Sequence, residues 1–172
     1  RQGINGMQAD LYIRGGGFDQ TLLLIDGIKV DDPQTGHHTL NLALPIEMIK
    51  RIEIIKGPAA RIFGQNAFTG AINIVTKDVD ETGLITKIQS GSFGQSIAEA
   101  TGTIKLKESN HIVHFSKSFS QGYRYNTDFD NTNYVLKSLL NKNKLPIELL
   151  TSYAERKFGA NGFYGIPTAT KQ

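Results

Sequence analysis

The chain contains no cysteine. It therefore has no disulfide, no thiolate metal ligand and no cysteine nucleophile. It also lacks an apolar run of the ~18 residues that a membrane-spanning helix needs. Its Lys and Arg residues are spread along the chain and form no cluster like that of a nucleic-acid-binding patch. These absences exclude a disulfide scaffold, a transmembrane helix and a nucleic-acid partner.

Residue patterns of enzymes and nucleotide-binding proteins are missing as well. Nowhere does a recognisable nucleophile stand with a paired base, so we expect no enzyme and no catalytic residue. The run Gly15–Gly17 invites comparison with a phosphate-binding loop. The dinucleotide pattern would need a further glycine at position 20, where Gln20 stands. We therefore expect no resident cofactor.

Enough apolar residues are present to build a folded core, and they make up 39% of the chain. In the first half they fall in short segments separated by glycine-containing turns. Asp26-Gly27, between two apolar runs, is a strong hairpin signal. The pattern predicts a small mixed α/β unit with strands at Leu11–Arg14, Thr21–Ile25, Ile28–Val30, Arg51–Lys56 and Ala71–Thr76, a short helix at Leu44–Lys50 and a helical turn at Ala59–Phe63.

The second half alternates apolar and polar residues with a period of two, which is typical of strands. It predicts five consecutive antiparallel strands at Leu84–Ser90, Ser96–Leu106, His111–Ser120, Asn133–Leu140 and Ile147–Ala154. A polar loop, Gln121–Asn131, separates the third strand from the fourth. This alternation is typical of an outer-membrane barrel wall and equally of a soluble sandwich. The fold class is therefore predicted as α+β, with one domain at 1–77 and a second at 78–172.

Several motifs of the first half occur in an order that resembles one known family. They are Ile13-Arg14-Gly15-Gly16, Thr21 to Ile28, Leu44-Pro45, Ile49 to Ala60, and Phe63 to Lys77. Together they resemble the plug domain of TonB-dependent outer-membrane receptors, although the family often has Arg where this chain has Lys56. The polar insert Asp32–His38 is similar to the version in Bacteroidetes-type receptors, which are often grouped with vitamin B12 (cobalamin) receptors.

The resemblance implies an architecture and a location. Residues 1–77 would be a plug domain whose N-terminal part is missing, and 78–172 would be the first strands of a transmembrane β-barrel. Such a barrel has about 22 strands and encloses a plugged lumen. The chain would then be a piece of a larger protein of the outer membrane. Outer-membrane lipid and the TonB protein, which binds a segment upstream of this chain, would be its partners.

The implied function is active import of a scarce, large nutrient. A small-molecule ligand such as cobalamin or another corrinoid is favoured over a ferric siderophore. The alternative from the residue pattern is a non-transporting binding or adhesion module with an α/β head and a β-sandwich.

In the family, ligand meets outward loops of the plug, and 6–10 and 31–41 match these loops. Neither contains Lys or Arg, which disfavours a phosphate-rich or strongly anionic ligand. The candidate substrate-binding residues are Met7, Gln8, Asp10, Gln34, Thr35, His37 and His38.

Two further sets of charged residues have candidate roles. By resemblance, Arg14, Arg51 and Glu53 would form an ionic lock that links plug strands to each other or to the barrel wall, and the alternative is that they are ordinary solvated strand charges. Asp128 and Asp130 lie in an oxygen-rich predicted loop. Ca²⁺ prefers six to eight oxygen ligands, so an external calcium site is a hypothesis beside that of a solvated turn.

Overall fold

The computed structural model describes residues 10–30, 42–57, 62–63 and 67–162. The chain separates after Lys77 into two compact units, and each contains one β-sheet. Among the described residues, no helix is long and apolar enough to cross a membrane.

The sheet of the first unit has four strands in the order β2-β1-β4-β3. β1 runs parallel to β4, whereas β2 is antiparallel to β1 and β3 is antiparallel to β4. The strands are β1 Thr21–Ile25, β2 Ile28–Lys29, β3 Ile49–Lys56 and β4 Gly70–Thr76.

The core of the first unit forms around β1, because this strand lies between two others and its run Leu22–Leu24 is apolar throughout. Full burial of a leucine side chain contributes about 1.5–3 kcal/mol. One buried cluster consists of Leu22, Leu24, Ala67 and Ala71, with Ile55 and Phe63 packed against it.

The predicted strand at Leu11–Arg14 is wrong. Arg14 and Gly15 have φ angles of 52° and 76°, and the Gly16 amide donates to the Ile13 carbonyl at 3.0 Å. These residues therefore form a turn. The apolar–polar alternation of so short a segment carries too little information to distinguish a turn from a strand.

The predicted helix at Leu44–Lys50 is also wrong in type and extent. A 3₁₀-helix covers only Ile46–Met48, and β3 starts at Ile49. A helical nucleus is costly over so few residues, whereas Ile49 and the residues from Arg51 to Lys56 each gain a partner on β4.

The α/β description of this unit is accordingly too helical. The helical residues that the structure describes are in 3₁₀ conformation. Examples are Phe18–Gln20, and Ile62 and Phe63 at the end of the helical turn predicted at Ala59–Phe63. Residues 59–61 of that turn lie outside the described residues. The described part of the chain consists mostly of strands.

The second unit contains an open antiparallel sheet of five strands in sequence order, as predicted. Its edges are the first and the last strand, so the described sheet does not close on itself. The strands are β5 Gly83–Ser90, β6 Ser96–Lys105, β7 Asn110–Ser120, β8 Phe129–Leu140 and β9 Ile147–Phe158.

The loop between β7 and β8 is shorter than predicted, because β8 begins at Phe129 rather than at Asn133. Asp130 and Asn131 are strand residues that pair with Lys157 and Arg156 of β9. β9 also continues beyond Ala154, its predicted end. The polar side chains of Asp130 and Asn131 indicate a loop, but pairing with β9 satisfies the backbone groups of both residues.

The register of the second sheet sorts its side chains onto two faces of different chemistry. We call them the apolar face and the polar face. The apolar face includes Leu84, Ile88, Ala98, Ala100, Ile104, Val113, Phe115, Tyr134, Leu136, Leu149 and Tyr153. The polar face includes Lys87, Glu99, Thr101, His114, Ser116, Asn131, Asn133, Lys137 and Glu148.

Candidate functional site

The hairpin between β1 and β2 turns at Asp26-Gly27, as predicted. Both residues have positive φ, 49° for Asp26 and 81° for Gly27. A two-residue hairpin with positive φ at both positions is the type I′ turn, and Asp-Gly is one of its preferred sequences. Pairing of Leu24 with Lys29 and of Ile25 with Ile28 fixes the register on each side.

The Asp26 carboxylate joins this turn to the end of β4. Its Oδ1 accepts a hydrogen bond from the Thr76 amide at 2.8 Å, and its Oδ2 accepts one from Thr76 Oγ1 at 2.6 Å. The Asp26 amide itself donates to the Ile74 carbonyl at 3.0 Å. Hydrogen bonds to a charged group are the stronger ones, so this pair of contacts closes the end of the sheet.

A second chain of contacts crosses the sheet from the same turn. The Gly27 amide donates to Asn73 Oδ1 at 2.9 Å, and Asn73 Nδ2 donates to Glu53 Oε2 at 2.9 Å. Arg51 then pairs with the other oxygen of Glu53, with Nη2 at 2.7 Å from Oε1. The hairpin turn, β4 and β3 are thereby connected through side chains.

The pKa of Glu53 is lowered from its ordinary value. The hydrogen bond from Asn73 is the largest cause, and the hydrogen bond from Arg51 follows. Both stabilise the ionised form. The side chain of Arg51 is 54% exposed and that of Glu53 is 40% exposed, so solvent screens the attraction between their charges.

Arg14 lies apart from this ion pair in the described contacts. It is exposed, and its Nη1 lies near Gly57, 3.3 Å from where a Cβ on that glycine would be. The structure thus brings Arg51 and Glu53 together within the first unit. The lock that links all three residues stays a prediction.

Thr69 ties the start of β1 to the end of β3. Its amide donates to the Gln20 carbonyl at 3.1 Å, and its carbonyl accepts from the Gly57 amide at 2.9 Å. Its Oγ1 lies 3.2 Å from Thr21 Oγ1. A Cβ on Gly16 would lie only 2.2 Å from Thr69 Cγ2, so Gly16 leaves the room that this contact needs.

Asp10 is the one candidate ligand residue that falls within the described residues. Tyr12 Oη donates to Asp10 Oδ2 at 3.2 Å, and the Tyr12 ring is 65% exposed. Desolvation raises the pKa of Tyr12, and the charge of Asp10 adds to the rise. The other candidates, at positions 7, 8, 34, 35, 37 and 38, lie outside the described residues.

Asp128 and Asp130 do not occupy one loop. Asp128 precedes β8 and its carbonyl accepts from the Gly159 amide at 2.8 Å. Asp130 lies in β8 and pairs with Lys117 of β7. Within the described ranges, no group of three or more His, Asp or Glu side chains is placed to hold a metal ion. The calcium site stays a prediction.

Side chains on the polar face of the second sheet pair across strands. Lys87 lies 3.2 Å from Glu99, and Lys137 lies 3.2 Å from Glu148. Thr101 Oγ1 lies 2.8 Å from His114 Nδ1, and His114 is only 1% exposed. This face is therefore held by ionic and hydrogen-bonded contacts between neighbouring strands.

Sequence reasoning missed three residues of the network in the first unit: Asp26, Asn73 and Thr76. Asp26 was expected only as a turn former. The available signal was Asn73, a lone polar side chain within the apolar run of β4. A polar group in such a strand needs a hydrogen-bond partner, and here it has two.

This first unit, a four-stranded sheet closed by a hairpin-turn network, corresponds to a known domain class. Residues 1–71 match the family model described as TonB-dependent Receptor Plug Domain. The chain is similar to the TonB-dependent receptors, and among them to their vitamin B12 receptors. These are receptors and transporters of the outer membrane, not enzymes.

Three proteins illustrate the similarity. A vitamin B12 transporter BtuB of Vibrio vulnificus is 32% identical over 127 residues, which are 73% of this chain and 21% of that protein. The structure of the copper transporter OprC matches with a TM-score of 0.72 at 17% identity, covering 92% of this chain and 27% of that one. The structure of the pyoverdine outer membrane receptor FpvA from Pseudomonas aeruginosa PAO1 matches with a TM-score of 0.67 at 15% identity, covering 90% and 23%.

The two structural matches show that the fold is shared. The chain spans about a fifth of the length of the curated relatives it matches.

Proposed function

We propose that this chain is part of a TonB-dependent receptor that imports a scarce, large nutrient across the outer membrane. The observation that carries the proposal is the match of residues 1–71 to the plug family together with the hydrogen-bonded sheet of the first unit. A barrel wide enough for such a nutrient would leave an open lumen, so it needs a folded domain to seal it.

The proposed energy source is the inner membrane, since the outer membrane has no pool of ATP. TonB, acting on a segment upstream of the described strands, would deliver that energy to the plug. The chain's own contribution is a sheet that stays together through the Asp26–Thr76 and Asn73–Glu53 contacts while the path for the ligand opens.

For the ligand we propose cobalamin or a related corrinoid. The similarity to a vitamin B12 transporter over 73% of this chain favours it. The absence of Lys and Arg from residues 6–10 and 31–41 also favours a ligand that is not strongly anionic. The proposed contact residues are Met7, Gln8, Asp10, Gln34, Thr35, His37 and His38.

A second candidate is a metal complex such as a ferric siderophore. The structures that share the fold include the pyoverdine receptor and the copper transporter, and their low identity favours neither ligand for this chain. A non-transporting adhesion module is the third candidate.

The test is growth and binding with the full-length receptor. Cells that need cobalamin and lack their own cobalamin receptor should grow on nanomolar cobalamin when they produce the full-length receptor. This growth should require TonB. The purified receptor should bind cyanocobalamin, and changing Gln34, His37 and His38 together to Ala should weaken binding at least tenfold. The matched control changes the exposed residues Lys107 and Glu108 to Ala.

Three outcomes would contradict parts of the proposal. Tight binding of a ferric siderophore without any binding of cobalamin would show that the ligand is a siderophore and not cobalamin. Normal cobalamin binding by the triple variant would remove these residues from the site. Binding without TonB-dependent growth would favour the adhesion module.

A further inference from the structure

The loop between β7 and β8, residues 121–128, is held in shape by its own contacts. Thr127 Oγ1 accepts a hydrogen bond from the Arg124 amide at 3.0 Å and donates one to the Arg124 carbonyl at 2.8 Å. A Cβ on Gly122 would lie 2.5 Å from the carbonyl carbon of Thr127, so the two ends of the loop approach closely. Tyr123 and Tyr125 are exposed. The loop is therefore a compact element that presents aromatic side chains to its surroundings.

The segment that follows β9 binds this loop through three hydrogen bonds. The Gly159 amide donates to the Asp128 carbonyl at 2.8 Å, and the Asn161 amide donates to the Asn126 carbonyl at 3.1 Å. The third involves a side chain, since Asn161 Nδ2 donates to the Tyr125 carbonyl at 2.6 Å. We call the two hydrogen bonds of Asn161 the latch. A change in the side-chain chemistry of Asn161 alters the latch directly.

Asn161 is followed by Gly162, and this dipeptide can react with itself. Glycine has no Cβ, so its backbone nitrogen can approach the side-chain carbonyl carbon of the preceding residue. Gly162 also has a φ of 78°, which other residues adopt only with strain. Attack of the Gly162 nitrogen on Asn161 Cγ closes a five-membered succinimide ring. The Cγ–Nδ2 bond breaks, and ammonia leaves with the proton of the Gly162 amide. Water then opens the ring at either carbonyl and leaves aspartate or isoaspartate.

We propose that Asn161-Gly162 is a site of spontaneous deamidation, that the reaction requires the latch to open, and that its product prevents the latch from closing again. While the latch is closed, the hydrogen bond to Tyr125 holds the nitrogen that has to leave. After the reaction the side chain is a carboxylate, which has no proton to donate to the Tyr125 carbonyl. Isoaspartate also adds a methylene group to the main chain and displaces the residues that follow.

The chain contains an internal contrast to this site. An Asp-Gly dipeptide forms the same ring by loss of water, but in Asp26-Gly27 both reacting groups are engaged. The Gly27 amide donates to Asn73 Oδ1 at 2.9 Å, and the Asp26 carboxylate accepts two hydrogen bonds from Thr76. We therefore expect Asp26 to keep its form.

Asn143 is the matched control for the side-chain amide. Its Nδ2 also donates to the carbonyl of a neighbouring turn, that of Lys107 at 3.4 Å. The residue that follows is Lys144, and the Cβ of a lysine hinders the attack that a glycine permits. Deamidation at position 161 but not at position 143 would thus depend on Gly162.

The first test follows the full-length receptor in detergent during storage in mildly alkaline buffer. Peptide mapping by mass spectrometry distinguishes Asn, Asp and isoaspartate at positions 161, 143 and 26. Asn161 should convert while Asn143 and Asp26 do not. Gly159→Ala, which disturbs the hydrogen bond to Asp128, should open the latch more often and raise the rate at position 161 about threefold or more. Gly102→Ala should leave that rate unchanged.

The second test examines the product. Asn161→Asp should increase the rate at which a protease cleaves residues 121–128 about threefold or more, whereas Asn143→Asp should not. If Asn161→Asp does not assemble, the stored wild-type receptor is cleaved before and after conversion.

Three results would overturn the inference. An Asn161 that stays intact in both wild type and Gly159→Ala would show that position 161 is not a modification site. Equal conversion rates in these two proteins would show that the latch does not control the reaction. Unchanged cleavage of residues 121–128 after conversion would show that the product still allows the latch to close.

Discussion

Asp26 and Thr76 lie fifty positions apart in the chain, yet the carboxylate of Asp26 accepts hydrogen bonds from both the amide and the hydroxyl of Thr76. The contact joins the β1–β2 turn to the last residue of β4. It closes the sheet at the point where the chain leaves the first unit, so we expect its loss to loosen β4.

Replacing Asp26 by Ala should therefore destabilise the first unit. The loss of a partner for a partly buried amide and hydroxyl costs about 1–3 kcal/mol. Hydrogen exchange in the full-length receptor should show faster exchange for the amides of β1 and β4. Asp26→Asn is the matched variant, because Asn tolerates the positive φ and keeps one acceptor, so its effect should be smaller. Equal exchange in wild type and Asp26→Ala would contradict the closing role of this contact.

A pH dependence follows from the lowered pKa of Glu53. A carboxyl whose folded-state pKa lies below its unfolded value of about 4.3 contributes stability above that value and loses it as pH falls through the folded pKa. The difference in melting temperature between wild type and Glu53→Gln should stay constant from neutral pH to about pH 5 and shrink below about pH 4. Glu108→Gln, in an exposed turn, is the control. A difference that grows on acidification would show the opposite sign and refute the role of Asn73 and Arg51.

Gly16 should not tolerate a side chain. A Cβ there would lie 2.2 Å from Thr69 Cγ2 and 2.8 Å from its Oγ1, so Gly16→Ala forces a shift that costs about 1–3 kcal/mol. The loss of stability of the first unit can be measured by urea unfolding that is monitored by hydrogen exchange. Thr69→Ser removes Cγ2 and should restore part of the stability in the double variant. Gly15→Ala is the contrast, since nothing lies within 4 Å of its Cβ and only the φ of 76° opposes it. The same loss in the single and double variants would mean that Thr69 is not the obstacle.

The turn after β9 should depend on Gly159. Its Cβ would lie 2.3 Å from both the carbonyl carbon and oxygen of Asn126, which are backbone atoms that cannot rotate away. Gly159→Ala should break the hydrogen bond from its amide to the Asp128 carbonyl, now 2.8 Å long, and expose residues 121–128 to proteolysis. Gly102→Ala, in β6 with open space around its Cβ, should leave the cleavage rate unchanged. Equal cleavage of the two variants would contradict this packing.

Local chemistry along the chain was sufficient to predict much of the fold. Asp26-Gly27 predicted the hairpin because few other residue pairs adopt positive φ at both positions without strain. Period-two alternation predicted five antiparallel strands because successive side chains of a strand face opposite sides. Both signals come from neighbours in the sequence, so no knowledge of distant contacts was needed.

Tertiary structure decided what local signals leave open. The segment Leu11–Arg14 reads as a strand but forms a turn, and the polar residues Asp130 and Asn131 read as a loop but lie in β8. In β8 the cause is pairing with a neighbouring strand, which outweighs the local preference of a few residues.

The same distinction holds for side chains. Alternation alone does not explain why Lys117 lies on a face with Val113 and Phe115. The register of β7 and β8 places it diagonally across from Asp130, with which it forms an ion pair. The partner of Asp26 likewise became known only from the structure. Sequence determines which groups need a partner, since a buried polar or charged group is costly alone. Only the folded sheet decides which residue, many positions away, supplies that partner.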